Sequence, residues 1–405
     1  MLYSPHRPLA EDSARLLQWL HSKALPLWRS RGFEEQRGFA ESLSSTGDPT
    51  EAHRRSRVHP RQIYCFAEAG ARGWAGDWQT PVKSGLDYFD KVYRRPDGFY
   101  GALATSEGQL IDDGFDLYNQ AFAILAFCYT AKAIPGLASE MSGRALALLR
   151  NLRAEYAHRE AGFQEACPER LPLCSNPHMH LFEAALACED QFGSDRQVWA
   201  ALADELAKLC MTRFVDGETG ALREFFNADW QPADGLNGQI VEPGHQFEWA
   251  WLLARWAERR ARADALSVAK RLFEIGTDHG ICSERQVAIM SLLDDFSVHN
   301  ALARLWPQTE WLKAAARLAV ISEGSERDRY MASARAAAGA LDLFLDVPLA
   351  GLWRDKLTEE GRFLDEPAPS SSFYHILCAV YELDDCVKDI ARASSGDDAQ
   401  VTIRT

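Results

Sequence analysis

The chain has 405 residues, 47% of them hydrophobic and 25% charged, with 12 Trp and 20 Phe. That is material for a large globular core and excludes a disordered or fibrous chain. A formal charge of −14, from 44 basic against 58 acidic side chains, repels phosphate backbones and anionic lipid. Nucleic acid and membrane surfaces are therefore excluded as partners, whereas a neutral small molecule is easily accepted.

Helical periodicity dominates, with apolar residues at i, i+3, i+4 and i+7 and abundant alanine. In chain order, helices are expected over 11–31, from about Pro60, over 81–93, from Leu117, over 135–156 and from Pro177. They continue over 194–214, from Gly244, over 263–279, from Pro307, over 325–344 and from Ser372. Pro60, Pro177 and Pro307 stand where a missing N–H costs nothing. Short alternating runs near 220–226, 281–292 and 349–353 read as small hairpins in connections. One series of starts recurs at intervals on the order of 55–70 residues, the length of one helical hairpin with its connections. Six hairpins with no linker predict an all-α fold, a closed (α/α)6 barrel, as a single domain over 1–405, its first series inside and its second outside. The competing architecture is an open helical solenoid, a noncatalytic binding scaffold.

The nine cysteines are odd in number and form no CxxC pair. Most lie in apolar helical stretches such as FAILAFCY, the usage of a reducing compartment. MLYSPHRPLAEDSARLL has no charged-then-apolar leader pattern, and no apolar run reaches the roughly 18–20 residues that span a bilayer. A cytoplasmic chain, acting as a monomer or homodimer, is the expectation.

Polar residues gather at the starts of the inner series: Arg57 and His59 with Gln62; Asp116, Tyr118 and Asn119; Asn176, His178 and His180 with Glu183. The later starts bring His245 with Glu248; Trp306, Gln308 and Glu310; and Tyr374 with His375. If the hairpins alternate regularly, these groups share one rim, and helix N-termini there favour developing negative charge. Any single member has a bland reading: Asn176 as a helix cap, Trp306 as core filling, Glu248 and Glu310 as first-turn carboxylates. Repetition at equivalent points is what favours a site.

The strings RVHPRQIYCFA, SNPHMHLFEAAL, EPGHQFEWAWLL, LWPQTEWLKAA and SSFYHI resemble the N-acylglucosamine 2-epimerase family, which includes cellobiose 2-epimerases and bacterial mannose isomerases. The resemblance covers residues 57–376 in matching order, and it too implies an (α/α)6 barrel. It implies that His245 and His375 work across a sugar carbonyl and that His180 assists ring opening or bonds substrate oxygens. It also implies that Arg57 stabilises an enediolate, that Glu248 orients a histidine, and that Asn176, Tyr118, Trp306 and Glu310 bind substrate. WPQTE and SSFYHI are similar to the mannose isomerase branch, which implies interconversion of D-mannose and D-fructose, with sugar 2-epimerisation as the alternative.

The residue types suit that chemistry. Imidazole takes and returns a proton near neutrality, and a permanent cation such as Arg57 stabilises an enediolate without joining the proton traffic. Glu248, one turn from His245, is placed to fix its tautomer. Trp306 and Trp353 offer faces on which a pyranose can stack. The two histidines of His178-Met179-His180 point about 200° apart on a helix and do not share an ion. No catalytic metal is expected; no phosphate-binding loop is present and no cofactor is expected. A glycoside hydrolase would use a pair such as Glu248 and Glu310, or Asp112 and Asp113, but leaves the three histidines without a role.

Overall fold

The computed structural model describes residues 7–395. Helix α1 (Leu9–Trp19) continues through a π-helical turn, Leu20–Ala24, into α2 (Leu25–Arg31). Then follow α3 (Val58–Ala71), α4 (Gln79–Tyr93), α5 (Leu117–Ala133), α6 (Ala138–Glu155), α7 (Ser175–Gln191) and α8 (Arg196–Leu209). The series ends with α9 (Pro243–Arg260), α10 (Ala263–Gly280), α11 (Leu305–Val320), α12 (Gly324–Leu345) and α13 (Ser371–Ser395). The odd-numbered helices from α3 to α13 pack in sequence, and α13 returns to α3, closing an inner ring. Outside it, α4, α6, α8, α10 and α12 each cover the preceding inner helix, while α1 covers α13. The fold is the expected (α/α)6 barrel.

Burial explains the two kinds of helix. α5 (LYNQAFAILAFCYTAKA) is buried on almost every side, as an inner stave must be. α4 buries Pro81, Val82, Gly85, Leu86, Tyr88, Phe89 and Tyr93 along one face at helical spacing and leaves Lys83, Asp87 and Lys91 exposed on the other. One apolar core runs from Leu9 to Cys386. Among the described residues no helix is long and apolar enough to cross a membrane.

Short strands link neighbouring repeats. Arg54–Arg55 pairs with Leu103–Ala104, Leu173–Cys174 with Phe225–Phe226, and Ala303–Arg304 with Lys356–Leu357. Ala368–Pro369 pairs with Ser42–Leu43, so the last repeat is stitched to the first.

The polar residues at the inner-helix starts divide into two populations. One side chain per repeat turns away from the barrel axis and clamps the backbone of the preceding hairpin. His59 Nε2 accepts from Phe39 N at 3.3 Å, and His178 Nε2 accepts from Phe163 N at 3.0 Å. Gln120, Gln246 and Gln308 bond both backbone groups of Tyr100, Leu222 and Ala288 respectively, all at 2.8–3.0 Å. Residues two places either side of a clamp fall on the opposite helix face. Those positions hold Arg57 and Arg61, Asn176 and His180, and Trp306 and Glu310.

The sixth repeat replaces the hydrogen bond with aromatic stacking, and this corrects one expectation. Trp353 occupies the clamped position: Arg354 N bonds Phe344 O, just as Arg223 N bonds Phe214 O in the fourth repeat. Phe373 takes the clamp's place, its ring 5.6 Å from Trp353, which also stacks on Trp28 at 4.7 Å. Trp353 is 2% exposed, packed within the Trp28–Phe373 ring cluster and away from the rim cavity described below, so it offers no face to a pyranose there.

Replacing Gln308 by Ala should strand the buried N–H and C=O of Ala288. A loss of about 2–4 kcal/mol is expected from two such groups, to be read from urea unfolding. A change below about 0.5 kcal/mol, the size of an ordinary surface substitution, would show that the clamp does not hold the hairpin.

Candidate active site

One rim of the barrel opens into a cavity of about 530 Å³. Its walls include Arg57, Tyr118, Asn176, His180, His245, Glu248, Trp306 and His375. Residues spread over more than three hundred positions thus converge because each stands in the first turns of an inner helix. Helix starts fall within a few residues of the expected points; α7 begins at Ser175 rather than Pro177. Asn176 is not a cap, since Cys174 precedes the helix without a side-chain bond and the Asn176 Oδ1 has no protein partner. The capping residue is Asp116, which accepts from Tyr118 N at 2.9 Å.

Two imidazoles are built alike. His245 Nδ1 lies 2.8 Å from Glu224 Oε2, and His375 Nδ1 lies 2.8 Å from Glu310 Oε1. A carboxylate can only accept, so each ring donates from Nδ1 and leaves Nε2 as its free nitrogen. Trp306 stands beside both, its ring 5.0 Å from His245 and 5.8 Å from His375. Gly244 permits this: a Cβ there would meet the Trp306 ring at 2.4 Å.

Their electrostatics are opposite. Burial alone would lower His245, but the Glu224 and Glu242 carboxylates outweigh it and raise the imidazole to about 10. Burial, then the charges of Arg61 and Lys313, push His375 well below the ordinary imidazole range. At neutral pH this pair therefore consists of one imidazolium, His245, and one neutral imidazole, His375.

Two roles change. Glu248 does not orient His245; Glu224, from the hairpin before α9, does. Glu248 is 1% exposed, and neither of its oxygens has a hydrogen-bond partner. His180 Nδ1 and Lys313 Nζ each stand 3.9 Å from Glu248 Oε1. Burial, then the neighbouring Glu310 charge, lifts Glu248 to about 8, so it presents a protonated carboxyl to the cavity. Glu310, fully buried, sits behind His375 rather than on the cavity wall.

His180 lies edge-on to Tyr118 at 4.8 Å, with Glu183 3.5 Å from its Nδ1. Burial drives it down to about 3, so it serves as a neutral hydrogen-bonding group. Arg57 lies 3.7 Å from Asp116 and over the Tyr118 ring.

Sequence reasoning missed Arg61, Glu224, Glu242, Arg304 and Lys313. Arg61 follows Arg57 by four residues, and Lys313 follows Glu310 by three; that helical spacing was the available signal. Arg61 is buried, donates to Ser371 O at 3.1 Å and bonds the Tyr118 hydroxyl. Glu224 lies in a hairpin from a different part of the chain, and nothing local announces it.

Two donor groups, His180–Glu183–Glu248 and Glu248–Glu310–His375, have ligand atoms within 4.8 Å of one another. They fit a metal ion poorly, because the Lys313 ammonium already lies against Glu310 at 2.5 Å and near Glu248. A divalent ion there would be forced against a fixed positive charge.

The chain is similar to known proteins along most of its length. The sequence profile of the N-acylglucosamine 2-epimerase family matches residues 38–379. A mannose-6-phosphate isomerase of Rhizobium meliloti is 60% identical over 93% of this chain and 98% of its own length. A D-mannose isomerase of Pseudomonas cannabina pv. alisalensis is 28% identical, over 78% of this chain and 79% of its own. In fold, a D-mannose isomerase crystal structure superposes with a TM-score of 0.84 at 21% identity, covering 93% of this chain and 99% of that one. Cellobiose 2-epimerase from Spirochaeta thermophila gives 0.81 at 19%, covering 95% and 98%. The chain belongs to the N-acylglucosamine 2-epimerase family of sugar isomerases and epimerases, with the family's mannose isomerase branch.

Proposed function

We propose that the chain is an aldose–ketose isomerase that interconverts D-mannose and D-fructose through a cis-enediolate. The observation that carries this is the pair of imidazoles, each backed at 2.8 Å by a buried carboxylate, around one sugar-sized cavity. His375, neutral, takes the C2 proton on Nε2 and returns it to C1. His245, as imidazolium, gives a proton to O1 and recovers one from O2, so protons balance over the turnover. Glu248 in its protonated form and neutral His180 bond substrate hydroxyls, while Arg57 and Arg61 stabilise enediolate charge. Asn176 and Trp306 hold the ring. No step needs a metal or cofactor. The names of the relatives support isomerisation over 2-epimerisation, which would instead require His245 to deliver its proton to C2 from the opposite face.

A second reading, mannose 6-phosphate as substrate, has the Rhizobium relative's name in its favour and Arg55, Arg57, Arg170 and Arg304 in the cavity wall. Charge pairing weakens it: Arg55 is bonded to Glu41 at 2.5 Å and Arg304 to Asp355 at 2.9 Å. Asp116, Glu165 and Glu242 also line the cavity, and each opposes a dianion. The test is to incubate the protein separately with the two sugars in heavy water and follow products by NMR. Fructose from free mannose, with deuterium at C1 of part of the product, is expected. Glucose in place of fructose would overturn isomerisation, and turnover of the phosphate ester alone would overturn the neutral substrate.

A further inference from the structure

Lys313 is fully buried on α11, one turn from Glu310, and none of the roles above uses it. Carboxyl groups from three helices act on it, Glu183 from α7, Glu248 from α9 and Glu310 from its own helix, as does the Cys378 thiol of α13. Trp251 lies beneath it, 4.0 Å from Nζ to the ring centroid. The contact to Glu310 Oε2 is 2.5 Å, and the other oxygen of the same carboxylate bonds His375 Nδ1 at 2.8 Å. A continuous line of contacts thus runs from the ammonium through Glu310 to the imidazole.

We propose that Lys313 is a positioning residue: its buried ammonium keeps Glu310 ionised, so that Glu310 can only accept from His375 Nδ1–H and Nε2 remains free to act as the base. The catalytic part of this rests on the isomerase reading above; the part concerning the tautomer does not. A buried carboxyl next to a second carboxyl favours the protonated form. Without the ammonium, a proton on Glu310 would be donated to Nδ1 and force the Nε2–H tautomer. If His375 took that proton instead, it would become an imidazolium. Both outcomes occupy Nε2, and a fixed positive charge beside Glu310 opposes both. In keeping with this, burial raises Glu310, and Lys313 is the strongest influence pulling it back. The other groups facing this line are His180, which also pulls Glu310 down but less than Lys313 does, Tyr374, which bonds Glu183, and Arg61 and Arg304, which act on His375.

The test reads the imidazole directly. With histidine labelled at both ring nitrogens, and His375 assigned by its loss in His375→Gln, ¹⁵N shifts report which nitrogen carries the proton. The whole wild-type protein at neutral pH should show His375 protonated at Nδ1 and bare at Nε2. Lys313→Met should protonate Nε2, lower kcat about 100-fold with KM changed by less than about threefold, and move the acid limb of the pH profile upward. Lys313→Gln, which keeps a hydrogen-bonding group but not the charge, should behave like Met. A wild-type His375 already protonated at Nε2 overturns the proposal with no variant needed. So does a charge-free variant that keeps the Nδ1–H tautomer or near-normal kcat. A protein that turned over no sugar would sink the isomerase reading and leave the tautomer measurement standing.

Discussion

His375→Gln is expected to lower kcat by about 10³-fold or more while the barrel stays folded, because in the proposed mechanism it removes the group that carries carbon-bound hydrogen between C2 and C1. General base catalysis alone is worth about 10²–10⁴-fold, and no neighbouring side chain can substitute. His180 is neutral but lies against Glu183 and Tyr118, and Glu248 holds its own proton. Glutamine matches the imidazole's reach and keeps a polar group near Glu310, so the loss should fall on kcat with little change in KM. Deuterium exchange at C2, measured in heavy water, separates this from a defect in ring opening: the variant should show none. Exchange at near wild-type rate would mean that another residue abstracts the proton.

The second large effect belongs to Glu224→Gln. His245 is held near 10 by Glu224 and Glu242 against burial, so the wild-type imidazolium persists through neutral pH and is lost only as pH rises toward 10. Activity should therefore have its alkaline limb there. Neutralising Glu224 removes the carboxylate with the largest raising effect, and burial then favours the uncharged ring. The imidazole falls, and with it the alkaline limb. At pH 8 the variant should lose about 10²-fold in kcat, as for an absent general acid, and recover part of it as pH is lowered. Direction is the decisive observation: a limb that stays in place would detach His245 from the acid role. Glu242→Gln should produce the same displacement to a smaller degree.

Much of the architecture was readable from the chain itself because it repeats. Proline and glycine at the inner starts, and alanine-rich amphipathic stretches between them, placed every helix within a few residues. The cavity's first ring of residues was readable for the same reason. What stayed hidden depends on contacts between repeats. Glu224 reaches His245 across a hairpin, and Arg54–Arg55 pairs with Leu103–Ala104 of the next repeat. Proximity along a helix misled at Glu248: one turn from His245 is close, but a nearer carboxylate comes from elsewhere. Trp353 misled because its environment is set by Trp28, more than three hundred residues away. The helix-start histidines and glutamines were ambiguous for a subtler reason. Adjacent positions of one helix serve opposite faces, and polarity alone does not say which.

The clamp residues give the barrel a built-in ruler. Each fixes its helix rotationally against its own hairpin, so the positions two before and two after it are turned toward the barrel interior whatever side chain they carry. Chemistry can then be exchanged at those positions without renegotiating the frame, as a lathe accepts a new tool in a fixed chuck. Asymmetry enters at the seam: the sixth repeat, where the chain's ends meet, is seated by stacked rings that confer no angular preference as sharp as a pair of hydrogen bonds. His375 stands on that helix, whose start is held instead by the Ser370 hydroxyl on Ala40 O and the Ser372 hydroxyl on Asp355, while Glu310 fixes the imidazole itself.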